Sequence, residues 1–260
     1  MKQHLCRVIE NRLLWSSVQL LTLDAPDLAP AMRPGQFALV RDPTTFDPYL
    51  RRTTWLYRID GTRVALTLPA NDPLAQRVRA GDTLDVLAPL GRAVEFDASA
   101  RHVLLVGEGA RVATLIAIAE NAIRQQREVV LVLRLHFAAL PSAVAQDSAQ
   151  DASEVFPAHL LAPEIEYRTD SDALNTELIA WADTVVASGS DELRRALADA
   201  IRAARYHIEP GFARGLIDLL MPCGTGDCFA CAVETRHGIQ RACVDGPWFD
   251  LAEFEQRRAG

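Results

Sequence analysis

The chain has 260 residues, 49 % of them hydrophobic and 23 % charged, a balance that suits two compact units and a small appendage. A net charge of −7 and a pI near 5.4 argue against a nucleic-acid binder, and no apolar run approaches the ~18 residues of a membrane span. Lys2 is the only lysine among 27 basic residues, which removes Schiff-base and phosphate-loop lysines from the interior. Any phosphate recognition therefore falls to arginine or backbone N–H. The start of the chain carries charge and no long apolar stretch, so no export signal is expected and the cytoplasm is the expected location.

Residues 1–98 alternate apolar and polar positions in short runs, at 5–13, 17–23, 36–41, 54–59, 63–68 and 83–87. Pro34-Gly35, Gly61 and Gly81 separate these runs as turn signals. Short strands at roughly ten-residue spacing predict an antiparallel β-barrel. From residue 99 to 211 the texture changes to strands alternating with helices. Strands are predicted at 102–106, 129–135, 165–167 and 184–187, and helices at 110–124, 174–181 and 191–205. That alternation predicts an α/β domain with a parallel sheet. The Ala-, Ser-, Gln- and Asp-rich stretch 142–154 reads as a surface insertion, or else as a solvated helix.

The last unit, 212–260, holds Cys223, Cys228, Cys231 and Cys243, with a hairpin predicted at 232–241 turning at His237-Gly238. The spacing C-x4-C-x2-C-x11-C is the plant-type ligand pattern of a [2Fe–2S] cluster. Gly224 and Gly226 let the backbone wrap closely and aim N–H groups at sulfur. A zinc site favours two short Cys knuckles, and disulfides need an oxidising compartment; these are the two alternatives. So small a unit cannot bury enough surface to stand alone, so metal binding and folding are coupled there. Cys6 reads as a buried strand residue. The histidines at 102, 136, 159, 207 and 237 show no ligand spacing. Trp248 and Phe249 are read as covering the cluster, facing a partner, or packing in the core.

Met221-Pro222-Cys223-Gly224-Thr225-Gly226-Asp227-Cys228-Phe229-Ala230-Cys231, followed by Arg241-Ala242-Cys243-Val244-Asp245-Gly246-Pro247, resembles the dihydroorotate dehydrogenase electron-transfer subunit family. Pro34-Gly35-Gln36-Phe37, Leu50-Arg51-Arg52 and Gly81-Asp82 with Pro89-Leu90-Gly91 extend the resemblance over nearly the whole chain. It implies a ferredoxin-reductase-type fold with FAD on the barrel, NAD(H) on the α/β domain and [2Fe–2S] on the tail. It also implies a hetero-oligomer with a catalytic flavoprotein subunit in pyrimidine biosynthesis, and no acid, base or nucleophile in this subunit.

Carried onto this chain, the flavin motif reads Arg51-Arg52-Thr53-Thr54. Arg51 or Arg52 would clamp the pyrophosphate, Thr54 would offer its hydroxyl, and Trp55 would stack. The expected Gly-x-Gly-Thr segment is replaced by Pro69-Ala70-Asn71-Asp72-Pro73-Leu74, which sets Asp72 against a phosphate. The dinucleotide turn keeps Gly107 and Gly109 but places Glu108 between them. The later Ala187-Ser188-Gly189-Ser190-Asp191 lacks the family's thiol beside the nicotinamide. These departures sustain a second expectation, an iron–sulfur wire or assembly subunit that has lost FAD or NAD binding. A third is a flavin subunit of a hydrogenase, sulfide dehydrogenase or transhydrogenase complex.

Overall fold

The computed structural model describes residues 1–15, 17–134, 157–169 and 175–254; the stretch 142–154 and His136 lie outside them. Strands β1 (Lys2–Trp15), β2 (Val18–Asp24), β3 (Phe37–Arg41), β4 (Arg52–Asp60), β5 (Arg63–Pro69) and β6 (Thr83–Leu90) close an antiparallel barrel in the order β1-β2-β5-β4-β3-β6. Ala38, Val40 and Leu56 point into the barrel, while Phe37, Leu39, Trp55 and Tyr57 point out into a second core. Both faces of β3 are thus covered, which is why Phe37-Ala38-Leu39-Val40 is an unbroken apolar run. Between β5 and β6 lies a short helix, α1 (Pro73–Arg77), absent from the sequence reading. Its signal was present: Asp72 caps it, accepting the Leu74 N–H at 2.9 Å, and Pro73 at the first position needs no hydrogen-bond partner.

The second unit contains β7 (His102–Glu108), α2 (Ala113–Arg124), β8 (Glu128–Arg134), β9 (Glu166–Arg168), α3 (Thr176–Trp181), β10 (Thr184–Ser188), α4 (Asp191–Arg205) and β11 (Ala213–Leu216). α2 begins three residues later than the pattern predicts, because a 3-10 turn, Gly109–Val112, intervenes. Its Leu115, Ile116 and Ile118 are fully buried, each contributing about 1.5–3 kcal/mol. They pack between the sheet and β4, while α3 and α4 cover the opposite face of the sheet.

The tail adds β12 (Ala232–Thr235), β13 (Gly238–Arg241) and β14 (Trp248–Asp250). The first two form the predicted hairpin. β14 pairs antiparallel with β11, giving a six-stranded sheet ordered β14-β11-β10-β7-β8-β9. The boundary expected at 211/212 therefore falls just ahead of a strand of the parallel sheet, to which the tail returns. Trp248 and Phe249 are buried in the core, and the Trp248 indole Nε1–H donates to the Gly35 carbonyl at 2.7 Å, tying tail to barrel. No helix among the described residues is long and apolar enough to cross a membrane.

Candidate functional site

The segment after β11 runs along the molecule's central core before entering the cysteine loop. Met221, Cys231, Ala242 and Cys243 are buried with Phe37, Leu39 and Leu90 of the barrel. Gly224 and Gly226 hold φ of +69° and +87°, conformations that other residues rarely adopt. A side chain at 224 would also meet Leu39 and Leu90 at 2.9 Å, so glycine is needed for space as well as for φ. The loop is thereby pressed against the barrel wall.

Cys223 lies near Cys228, and Cys243 lies near Cys231 and within electrostatic reach of Cys223, so the four sulfurs gather in one region. Among the described residues no three His, Cys, Asp or Glu side chains converge as a ready cage for one ion. A binuclear centre takes four thiolates, two to each iron. Burial pushes the Cys223 thiol up. Hydrogen bonds from the Thr225 hydroxyl, the N–H groups of Cys228 and Thr225, and the Cys228 thiol outweigh it and bring Cys223 down to about 6. That hydroxyl also lies 2.6 Å from Asp227 Oδ2 and has one hydrogen to give, so the two backbone donors are the firmer part of the effect. Cys243 is pushed up to about 12 by burial and by Cys231, against a donating Gly226 N–H. Backbone N–H groups aimed at sulfur, on a loop kept open by two left-handed glycines, form a donor set that fits an iron–sulfur cluster.

Arg241 braces the loop. Its backbone N–H donates to Asp245 Oδ2 at 2.8 Å, and its guanidinium reaches the Gly226 carbonyl at 3.4 Å and lies over the Phe229 ring. Cys228 is exposed, and beside it Phe229 is 58 % exposed with φ +54°, a strained value for an aromatic residue. Cys6, by contrast, is buried in β1 and its thiol is pushed up to about 11, chiefly by burial, which leaves it inert.

A cleft of about 680 Å³ opens between the barrel and α2, lined by Arg52, Thr53, Trp55, Ala70, Thr114 and Leu220 among others. Leu220 precedes Cys223 by three residues, a reach of at most about 11 Å. The strand period decides which β4 residues face this cleft. Thr53 and Trp55 do; Thr54 is fully buried on the barrel side, its hydroxyl donating to the Ala38 carbonyl at 3.1 Å. The hydroxyl that faces the cleft is that of Thr53, not of Thr54. The two arginines also divide. Arg51 grips Asp85 with both terminal nitrogens, at 2.9 and 2.7 Å, whereas Arg52 pairs through Nε with Asp72 at 2.7 Å. Arg52 is the one left with terminal nitrogens for an anion. Asp72, expected to oppose a phosphate, is neutralised by Arg52 and by its helix cap.

Gly107 and Gly109 sit at the end of β7, beside the end of β10. From these neighbouring strands the chain departs in opposite directions, β7 toward β8 and β10 toward β11, and such a crevice is where open α/β sheets bind ligands. Glu108 does not point outward. Its Oε2 accepts the Ser190 N–H at 2.7 Å, across the crevice at the start of α4. Arg111 pairs with Asp218 at 3.5 Å, joining this turn to the segment that leads to the cysteines.

Residues 219–255 match the iron–sulfur cluster binding domain of dihydroorotate dehydrogenase B. The electron transfer subunit of dihydroorotate dehydrogenase B (NAD(+)) from Geobacillus sp. (strain WCH70) is 26 % identical, covering 97 % of this chain and 98 % of that one. The Bacillus caldolyticus subunit of the same name is 28 % identical, covering 95 % and 96 %. Among solved structures, the NADH-dependent reduced ferredoxin-NADP oxidoreductase superposes with a TM-score of 0.72 at 20 % identity, covering 96 % of this chain and 89 % of that chain. The ferredoxin reductase of carbazole 1,9a-dioxygenase gives 0.60 at 16 % identity, covering 78 % and 66 %. With a barrel, a parallel sheet and a four-cysteine tail in this order, the chain is similar over nearly its whole length to the electron transfer subunits of dihydroorotate dehydrogenase B and has the fold of the ferredoxin reductases.

Proposed function

We propose that the chain is an oxidoreductase subunit that relays electrons between NAD(H) and a catalytic flavoprotein subunit of the dihydroorotate dehydrogenase type. One observation carries this reading: the cysteine loop is packed on the barrel wall and begins three residues after a residue of the cleft. The two candidate sites are parts of one core. When bound, FAD accepts electrons in pairs and a [2Fe–2S] cluster passes them singly to the partner.

The chain's own groups have separable tasks. Trp55 and Thr53 form the wall on which a flavin would lie, and the terminal nitrogens of Arg52 would hold its anionic end. Arg51 keeps the strand beneath them in place through Asp85. Cys223, Cys228, Cys231 and Cys243 would hold the irons, and backbone N–H groups of residues 225, 226 and 228 would favour the more negative reduced state. Gly107 and Gly109 form the turn assigned to NAD(H). The exposed Cys228 and Phe229 mark the side from which the partner approaches. We place the protein in the cytoplasm, whose reducing conditions keep these thiols from pairing as disulfides.

The test is cofactor analysis of the full chain prepared without oxygen, alone and co-expressed with its partner. Two irons, two sulfides and one flavin per chain are expected. Stoichiometric zinc, or cluster absorption with no releasable flavin, would overturn the proposal.

A further inference from the structure

The polar groups of the β7–β10 crevice are partnered by the chain itself. Glu108, half-buried, lends its carboxylate to the Ser190 N–H at 2.7 Å, and the Ser190 hydroxyl takes the Leu193 N–H at 3.1 Å. The hydroxyls of Thr114 and Ser188 lie 2.8 Å apart, and both reach the Arg111 carbonyl. A Cβ added at Gly189 would meet Glu108 Oε2 at 3.0 Å, so the carboxylate lies directly against the turn that follows β10. α4 has 15 residues, and its first N–H groups carry the partial positive charge that attracts anions. Here that charge is already answered from within. The entry to α2 differs: the turn at 109–112 has no side-chain cap, and Gly109, at φ +52°, has open space beside it. One half of the crevice is open to an anion and the other half is closed by Glu108.

We infer that Glu108 is an internal plug that sets the affinity of this crevice for pyridine dinucleotides. This rests on the assignment of NAD(H) to the Gly107–Gly109 turn and says what limits binding there. A dinucleotide spanning the crevice brings a pyrophosphate with two negative charges, so it must expel the carboxylate from Ser190 or bind beside it. Both routes weaken it, the first through a lost charge-assisted hydrogen bond and the second through like-charge repulsion in a partly buried site. Arg111 cannot compensate fully, since it is paired with Asp218. The chain therefore binds NADH weakly on its own, and removing the charge strengthens binding.

The experiment titrates the full-length holoprotein with NADH and follows binding by fluorescence, for the wild type, Glu108→Gln and Glu108→Ala. The glutamine variant keeps the shape and an oxygen for Ser190 while removing the charge; the alanine variant empties the space. Flavin and iron contents, measured on the same samples, report separately on the parent assignment. Glu108→Gln is expected to bind NADH at least tenfold tighter than wild type, about 1.4 kcal/mol, with flavin and iron unchanged. Glu108→Ala is expected to match or exceed it. Affinities within twofold of wild type in both variants, or undetectable binding in all three proteins with cofactors retained, would overturn the plug. Loss of flavin or iron in the wild type itself would overturn the parent assignment instead.

Discussion

Arg241 touches the cysteine loop from the side, and its position has an electrical consequence. Reduction makes a cluster more negative, so a nearby guanidinium favours the reduced state. Arg241→Ala should therefore shift the cluster's reduction potential to more negative values while the iron content stays at two per chain. Potentiometric titration of the electron-paramagnetic-resonance signal reads this directly; an unchanged potential would remove Arg241 from the tuning role. The same scale shows where sequence spacing speaks and where it is silent. Cys223, Cys228, Cys231 and Cys243 were legible as a group because four cysteines on a short segment leave a spacing. That Thr54 faces the barrel interior was not legible, because a motif does not tell which face of a strand a residue lies on; the alternation of β4 does. The direction of Glu108 was invisible, since its partner lies 82 positions away.

Among elements, β6 is tied to β3 and to the start of β4 by one carboxylate. The Asp85 side chain is 2 % exposed and pairs with Arg51 and Arg41 at 2.7 and 2.8 Å. Burial alone would raise its pKa, but the hydrogen bonds from Arg51 and Arg41 win and hold it below the ordinary carboxylate value. A group depressed in the folded state stabilises the fold above its unfolded value, near pH 4, and loses that contribution as the pH falls through the folded value. Asp85→Asn leaves two part-buried guanidinium groups without their charge partner and should cost about 1–3 kcal/mol at pH 7. Denaturation curves at pH 7 and pH 3 check both claims: the gap between variant and wild type should narrow in acid, and a constant gap would refute the ionic account. Helix α4 shows the opposite end of legibility. Its limits, Asp191–Arg205, match the sequence reading, because Ser190 caps it and a 3.6-residue apolar stripe buries Leu193, Leu197 and Ile201. α1 is too short for periodicity to show and had only its cap and proline as signals.

At the scale of the whole molecule, barrel, sheet and cysteine loop share a single core. Metal loss should therefore be felt beyond the loop. Cys228→Ser is expected to abolish the cluster and to raise amide exchange over residues 217–247, while β1–β6 keep their protection. Protection in the tail equal to wild type would show that iron adds nothing to its folding. The order of the three units was legible from texture alone, since strand alternation, strand–helix alternation and clustered cysteines are different patterns. The return of the tail into the sheet was not, because three residues of β14 carry no period and their partners in β11 are defined only in three dimensions.

That return has a bearing on biosynthesis. A ribosome delivers β14 after the rest of its sheet, so until residues 248–250 emerge, β11 presents an unfilled margin and the Gly35 carbonyl lacks its indole donor. The last strand of this sheet is thus the last to be made, and neither the sheet edge nor the Gly35 contact is complete until it docks.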